Sequence, residues 1–257
     1  MKVLTLRNLS DKIISALRKL NAEKYCQKLN KKEEFIMTKE NGVLKGPMTE
    51  EDLALLNENP AEFWGGVTTI GSSAFSSCES LTEIRIPEGV KKIEMCAFFR
   101  CGLTKIELPN TIEVIVGLAF SECKALTEIR IPNGVQEINP GTFFGCESLT
   151  KIELPNTIEE ICTEAFSGCI ALTEIKIPES VKEIGICAFE GCGKIILPVD
   201  GKEYKVDPRL FNEKPLEKVQ DWCKKFERKG KVKTTLGVAT ESSSNSCIQT
   251  YDQQQGI

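Results

Sequence analysis

Six cysteines recur at near-constant spacing along this 257-residue chain: Cys78, Cys101, Cys123, Cys146, Cys169 and Cys192. Thiols can ligate soft metals or form redox pairs, so a regular series of them is the first place to look for chemistry. Thiolate metal sites bring cysteines together as pairs about two to four residues apart that converge on one ion. A series with one widely spaced thiol per interval spreads its ligands instead. Cys96/Cys101 and Cys187/Cys192 are closer pairs, but they stand far apart in the chain. The expected role of each cysteine is therefore structural: a small buried apolar group whose S–H donates to a nearby carbonyl.

The sequence contains no histidine. That removes Ser-His-Asp and Cys-His nucleophile systems, imidazole bases and His-ligated metals. Glycine-rich phosphate loops are also absent. Carboxylate pairs such as Glu159–Glu160 fall in outward slots and read as solvated. No catalytic residue, no cofactor and no metal ligand is expected.

The cysteines belong to a longer unit. A Phe precedes each by three positions, at Phe75, Phe98, Phe120, Phe143, Phe166 and Phe189, and the first five units continue into "LTEIRIP", "LTKIELP" or "LTEIKIP". A constant period in the low twenties containing L-x-x-I-x-I is the signature of a leucine-rich-repeat solenoid, in which each unit buries its apolar face against its neighbours. One Phe and one Cys per coil then form two ladders in a continuous core.

Within each short strand the two Ile face inward and the flanking charges outward. The first outward column reads Glu83, Lys105, Glu128, Lys151, Glu174; the second reads Arg85, Glu107, Arg130, Glu153, Lys176. Stacked coils set equivalent residues roughly 4.8 Å apart. A column of one sign would repel itself, whereas these columns alternate, and each is the complement of the other. Such exposed pairs contribute little stability in water and act mainly on register and solubility. The same cancellation makes the face a poor phosphate groove, which needs uncompensated cations.

The units closely resemble one subfamily, the BspA-like leucine-rich repeats, through stretches such as "IPEGVKKIEMCAFFRCGL" and "IPESVKEIGICAFEGC". The resemblance covers about residues 67–198 and implies a right-handed coil with short parallel strands, in proteins that act mostly as adhesins or interaction modules. In place of the usual Asn ladder stand Gly89, Thr111, Gly134, Thr157 and Ser180.

Departures from the repeat are the remaining functional signals. Met95, Phe99, Val114, Val116, Leu118 and Phe144 put apolar side chains in slots otherwise held by Lys, Glu, Ser or Gly. They are expected either to form one outward patch for a partner or to tuck into local packing. Ile196 occupies a charged slot in a shortened final coil, so the segment after it, through "KEYKVDPRLF" and a helix opened by Pro215, is expected to cover it. That helix carries Leu216, Val219, Trp222, Cys223 and Phe226 as an apolar stripe, followed by a solvated basic run through Lys233.

The organisation expected is a helical N-terminal segment at 1–62, a solenoid of about six coils at 63–198, a C-terminal cap with a helix at 199–233 and a disordered tail at 234–257. Ser10 would cap a helix to about residue 30, and Thr49 with Asp52 has capping-box spacing for another. Residues 1–32 carry nine Lys/Arg against two acids, which admits nucleic-acid binding as an alternative, though the net charge of −4 makes it the weaker one. No run of about 18 apolar residues or secretory leader is present. The expected setting is therefore cytoplasmic with reduced thiols, non-classical export of an adhesin or effector being the alternative. The primary expectation is a non-enzymatic module that binds another protein of unknown identity, through the apolar departures and the charged strand columns.

Overall fold

The computed structural model describes residues 38–228, apart from the side chains at 213, 222 and 225–228. The expected Ser10 helix, the end of the basic run and the tail from 234 lie outside the described residues. The chain opens with a hairpin, β1 (Thr38–Glu40) and β2 (Val43–Lys45), followed by helices α1 (Glu50–Glu58) and α2 (Pro60–Trp64). Thr49 caps α1 in the expected capping box: its hydroxyl accepts from the Asp52 N–H, and its own N–H donates to the Asp52 carboxylate.

From there the chain coils. Each turn contributes a two-residue strand and a three-residue strand: β3 (Thr69–Ile70), β4 (Glu83–Arg85), β5 (Lys92–Ile93), β6 (Lys105–Glu107), β7 (Val114–Ile115), β8 (Glu128–Arg130), β9 (Glu137–Ile138), β10 (Lys151–Glu153), β11 (Glu160–Ile161), β12 (Glu174–Lys176) and β13 (Glu183–Ile184). The end is β14 (Lys194–Val199), β15 (Lys202–Val206), α3 (Leu210–Glu213) and α4 (Leu216–Arg228). Successive short strands pair in parallel except β7 with β9, and successive long strands do so except β10 with β12, giving a solenoid with two strand columns, each interrupted once. Between β7 and β9, which do not pair as strands, Asn139 donates its side-chain amide to the Ile115 carbonyl at 2.9 Å.

The core between the columns is built from the two ladders. The six Phe rings stack with centroids 5.0–5.5 Å apart and planes within 6° of parallel. At the N-terminal end Phe63 and Trp64 close the stack, each 6.3 Å from Phe75, and at the other end Phe211 meets Phe189 edge-on. The cysteines lie beside the rings. Cys123, Cys146, Cys169 and Cys192 donate their thiols to the carbonyls of Phe98, Phe120, Phe143 and Phe166, at 2.9–3.2 Å. Burial pushes the Cys78 thiol up to about 11 and Cys123 to about 12, so these groups are neutral thiols at physiological pH. The six ladder cysteines are free, whereas Cys187, outside the ladder, is disulfide-bonded, against the free thiols expected.

Hydroxyls take over at three of the five Asn-ladder positions, glycines standing at the other two. Thr111, Thr157 and Ser180 donate to the carbonyls of Val90, Val135 and Ile158 in the preceding coil, at 2.6–2.9 Å. A second series runs beside the long strands, where Thr104, Thr127 and Thr150 donate to the Thr one coil earlier at 3.0–3.1 Å. The one shortened interval of the cysteine series, between Cys101 and Cys123, has a local cause. Only Gly102 separates Cys101 from Leu103, and a Cβ there would stand 2.0 Å from the Glu79 carbonyl oxygen.

Helices flank the coils as expected, α1 and α2 before them and α3 and α4 after them, and strands not expected there extend both ends. β2 pairs in parallel with β3, so the hairpin extends the short-strand column at its N-terminal end. β15 pairs antiparallel with β14 and extends the long-strand column at its C-terminal end. Ile196 sits opposite Lys205 in that pairing and is only 5% exposed, as the covering of its slot required. Leu216, Val219 and Cys223 of α4 are buried against the same end.

Candidate binding face

The long-strand column presents the charge checkerboard. The register sets Glu83 opposite Lys105, Lys105 opposite Glu128 and Glu128 opposite Lys151, while Arg85 faces Glu107 and Arg130 faces Glu153. Ion pairs run both across coils, Arg85–Glu107 at 3.5 Å and Arg130–Glu153 at 3.9 Å, and within strands, Lys105–Glu107 at 3.6 Å and Lys151–Glu153 at 2.7 Å. The hydrogen bond between Lys151 and Glu153 holds the ammonium above, and the carboxyl below, its ordinary pKa. At the C-terminal end Glu203 and Lys205 of β15 pair with Lys176 and Glu174 and extend the pattern by one strand.

Six of the sequence-chosen residues meet in one place. Lys105, Glu107, Glu128, Arg130, Lys151 and Glu153 line a trough of about 420 Å³ across β6, β8 and β10. Glu83 and Arg85 belong to a second depression, a cleft of about 530 Å³ between β4 and the α1–α2 wall. That cleft is lined mainly by apolar groups, among them Leu56, Pro60, Ala61, Trp64, Ile84 and Pro87. Its helical side was not marked by any repeat departure, because the wall lies outside the repeats.

The apolar departures do not form one outward patch. Phe99 is 2% and Leu118 8% exposed. Leu118 takes a left-handed backbone at φ 61° and turns down over Gly141, where a Cβ would stand 2.7 Å from its Cδ2. The Arg100 guanidinium lies 5.2 Å from the Phe99 ring centre. Met95, Val116 and Phe144 are half-buried, and Val114 alone of the six is exposed. Among the described residues, the large exposed apolar side chains are instead Ile170 and Ile186, along with Val114. Ile186 stands where other coils carry Ser72, Met95, Gly117, Pro140 and Thr163, so comparing slots could have found it.

The repeat geometry matches a known family. The BspA type leucine rich repeat region fits residues 68–196 in six copies. The chain belongs to the BspA-type leucine-rich repeat family. No curated protein matches this BspA-type chain. Among solved structures it is similar to a leucine rich cell surface protein from Faecalibacterium prausnitzii, with 35% identity and a TM-score of 0.48 over 55% of this chain and 41% of that one. A leucine-rich repeat protein from Bacteroides ovatus shares 29% identity, with a TM-score of 0.40 over 52% and 48% of the two chains. A T. pallidum leucine rich repeat protein shares 28%, with a TM-score of 0.39 over 49% and 70%. The BspA-type chain thus spans less than half the length of the first two. Among its described residues no helix is long and apolar enough to cross a membrane.

Proposed function

We propose that this BspA-type solenoid is a non-enzymatic module that binds another protein across its long-strand face. The observation that carries the reading is the trough over β6, β8 and β10, which gathers six charged side chains into a shape-bearing but self-neutralised surface. Their ion pairs are solvent-exposed, so a partner's own charges can exchange into them with little desolvation. The nucleophiles that sequence offers are spent on structure, since the buried ladder thiols are neutral and donate to backbone carbonyls. That supports binding rather than catalysis.

Crosslinking of the full chain in native extract, followed by identification of the adduct, tests the reading. A Lys105→Glu/Lys151→Glu variant should lose the adduct, while Val114→Glu keeps it. Loss in the Val114→Glu variant alone would move the site to the short-strand side.

The cytoplasmic setting is part of the same proposal. The disulfide at Cys187 is the observation that favours the alternative, an exported protein. Alkylation of the native protein in unbroken cells separates the two: a Cys187 that labels after denaturation without reductant supports the cytoplasm, and one that labels only after reduction supports export.

A further inference from the structure

Among the described residues, the long-strand column is covered by a further strand at one end only. β15 covers β14, but β4 is an edge strand whose outer side pairs with no strand among the described residues. The threonine series shows what is unfilled there. Thr104 and Thr127 donate their backbone N–H to the Thr one coil earlier, at 2.8 and 3.1 Å; Thr82 starts the series, has no earlier coil, and its N–H donates to no carbonyl among the described residues.

The apolar cleft opens beside this edge. Trp64, Leu56 and Ala61 form one wall and Ile84 of β4 the other. Neither Glu83 nor Glu88 at its rim has a cation within salt-bridge distance among the described residues, whereas Arg85 is paired on its inner side with Glu107. An unpaired strand edge, an apolar slot at the depth of the inward side chains and an unmatched carboxylate on the outward face coincide.

We propose that the cleft receives an extended segment of a partner protein, added to β4 as one more parallel strand, and that the segment has the pattern Lys–apolar–Glu. This rests on the protein-binding reading above and gives it a chemistry. The pattern follows from the stacking rule visible in the solenoid. Wherever a Glu-Ile-Arg strand has a parallel neighbour in this column, the neighbour reads Lys-Ile-Glu, as β6 does against β4 and β10 against β8. A segment on the outer side of β4 would set its Lys beside Glu83, its Glu beside Arg85 and its apolar side chain between Ile84 and Trp64. Backbone hydrogen bonding supplies affinity in such strand addition, and the alternate side chains supply selectivity.

The test titrates the full chain with the peptide Ac-Thr-Lys-Leu-Glu-Thr-NH2, following the amide signals of Thr82 to Arg85 and the Trp64 indole by heteronuclear NMR. Saturable shifts at both, with slowed hydrogen exchange at the Thr82 amide, are expected. Replacing the peptide Leu by Ser should weaken binding about tenfold or more, and Glu83→Lys in the protein should weaken it by about two- to fivefold. Binding insensitive to both changes, or no saturable shift, overturns the proposal. Shifts at these amides that grow with protein concentration in the absence of peptide assign the edge to a second copy. A Trp64 indole shift produced by Leu4→Ser/Leu6→Ser, with no peptide present, assigns it to the chain's own N-terminal segment; either result also overturns the proposal. Because the trough is tested separately by Lys105→Glu/Lys151→Glu, failure here is distinguishable from failure of the protein-binding reading.

Discussion

The thiol of Cys123 donates to the carbonyl oxygen of Phe98 in the preceding coil across 2.9 Å. The same relation recurs at Cys146, Cys169 and Cys192, so each of these four ties its own coil to the aromatic position one coil earlier, while Cys101 donates to the Cys78 carbonyl instead. It also accounts for the choice of Cys over Ala or Ser. An Ala would leave the carbonyl only its backbone donor, which for Phe98 is the Cys101 N–H at 3.1 Å, and a Ser would place a more polar group between stacked rings.

Stability should therefore fall in alkali. The Cys123 thiol has a pKa of about 12 in the folded chain and Cys78 about 11, against an ordinary value near 9.0 once unfolded. Folding thus favours the protonated thiol. Stability from this source is complete below about pH 9 and is lost as the pH rises from there toward the folded values, at about 1.4 kcal/mol per pH unit for each such thiol. Denaturant midpoints flat to about pH 8.5 and falling steeply above it are expected. The ladder cysteines should also resist alkylation at pH 8 until the chain is unfolded.

Phe120 lies mid-stack, fully buried between Phe98 and Phe143. Phe120→Ala should cost about 3–5 kcal/mol, read from urea denaturation. Phe120→Leu, which keeps most of the volume, should lose clearly less. Equal losses would show that ring stacking, rather than volume, sets the stability of the array.

Gly102→Ala tests the shortened coil. The added Cβ would meet the Glu79 carbonyl at 2.0 Å, so the backbone of two coils has to shift. A loss of about 1–3 kcal/mol is expected from thermal or denaturant unfolding. Gly66→Ala forms the contrast. It faces open space but has φ 75°, so its smaller loss should come from backbone conformation alone.

Lys151→Glu tests the checkerboard. It places a carboxylate in register with Glu128 and removes the 2.7 Å pair with Glu153. A small drop in Tm at low salt is expected, shrinking as the ionic strength approaches about 1 M. A drop unaffected by salt would mean that the side chain acts through packing.

Much of this architecture was legible in the chain itself. A core stack with one Phe and one Cys per coil needs only a constant period, because identical units stack in register and their buried slots coincide. The same holds for the inverted charges of Glu83, Lys105 and Glu128, whose alternation has meaning only if the strands stack in parallel. Periodicity carries no information where the period ends. The β1–β2 hairpin fell in a stretch expected to be helical, because its partner strand β3 lies beyond both helices in sequence and the pairing is tertiary. Leu118 and Phe99 looked like surface departures, yet a left-handed turn and the shape of the adjoining coil fold them inward. The cleft beside Trp64 required the α1–α2 wall to be set against an edge strand, a juxtaposition of non-repeating and repeating parts. Local repetition thus determined the coil, its ladders and its charge pattern, while long-range contact decided which strands and helices pack against its ends.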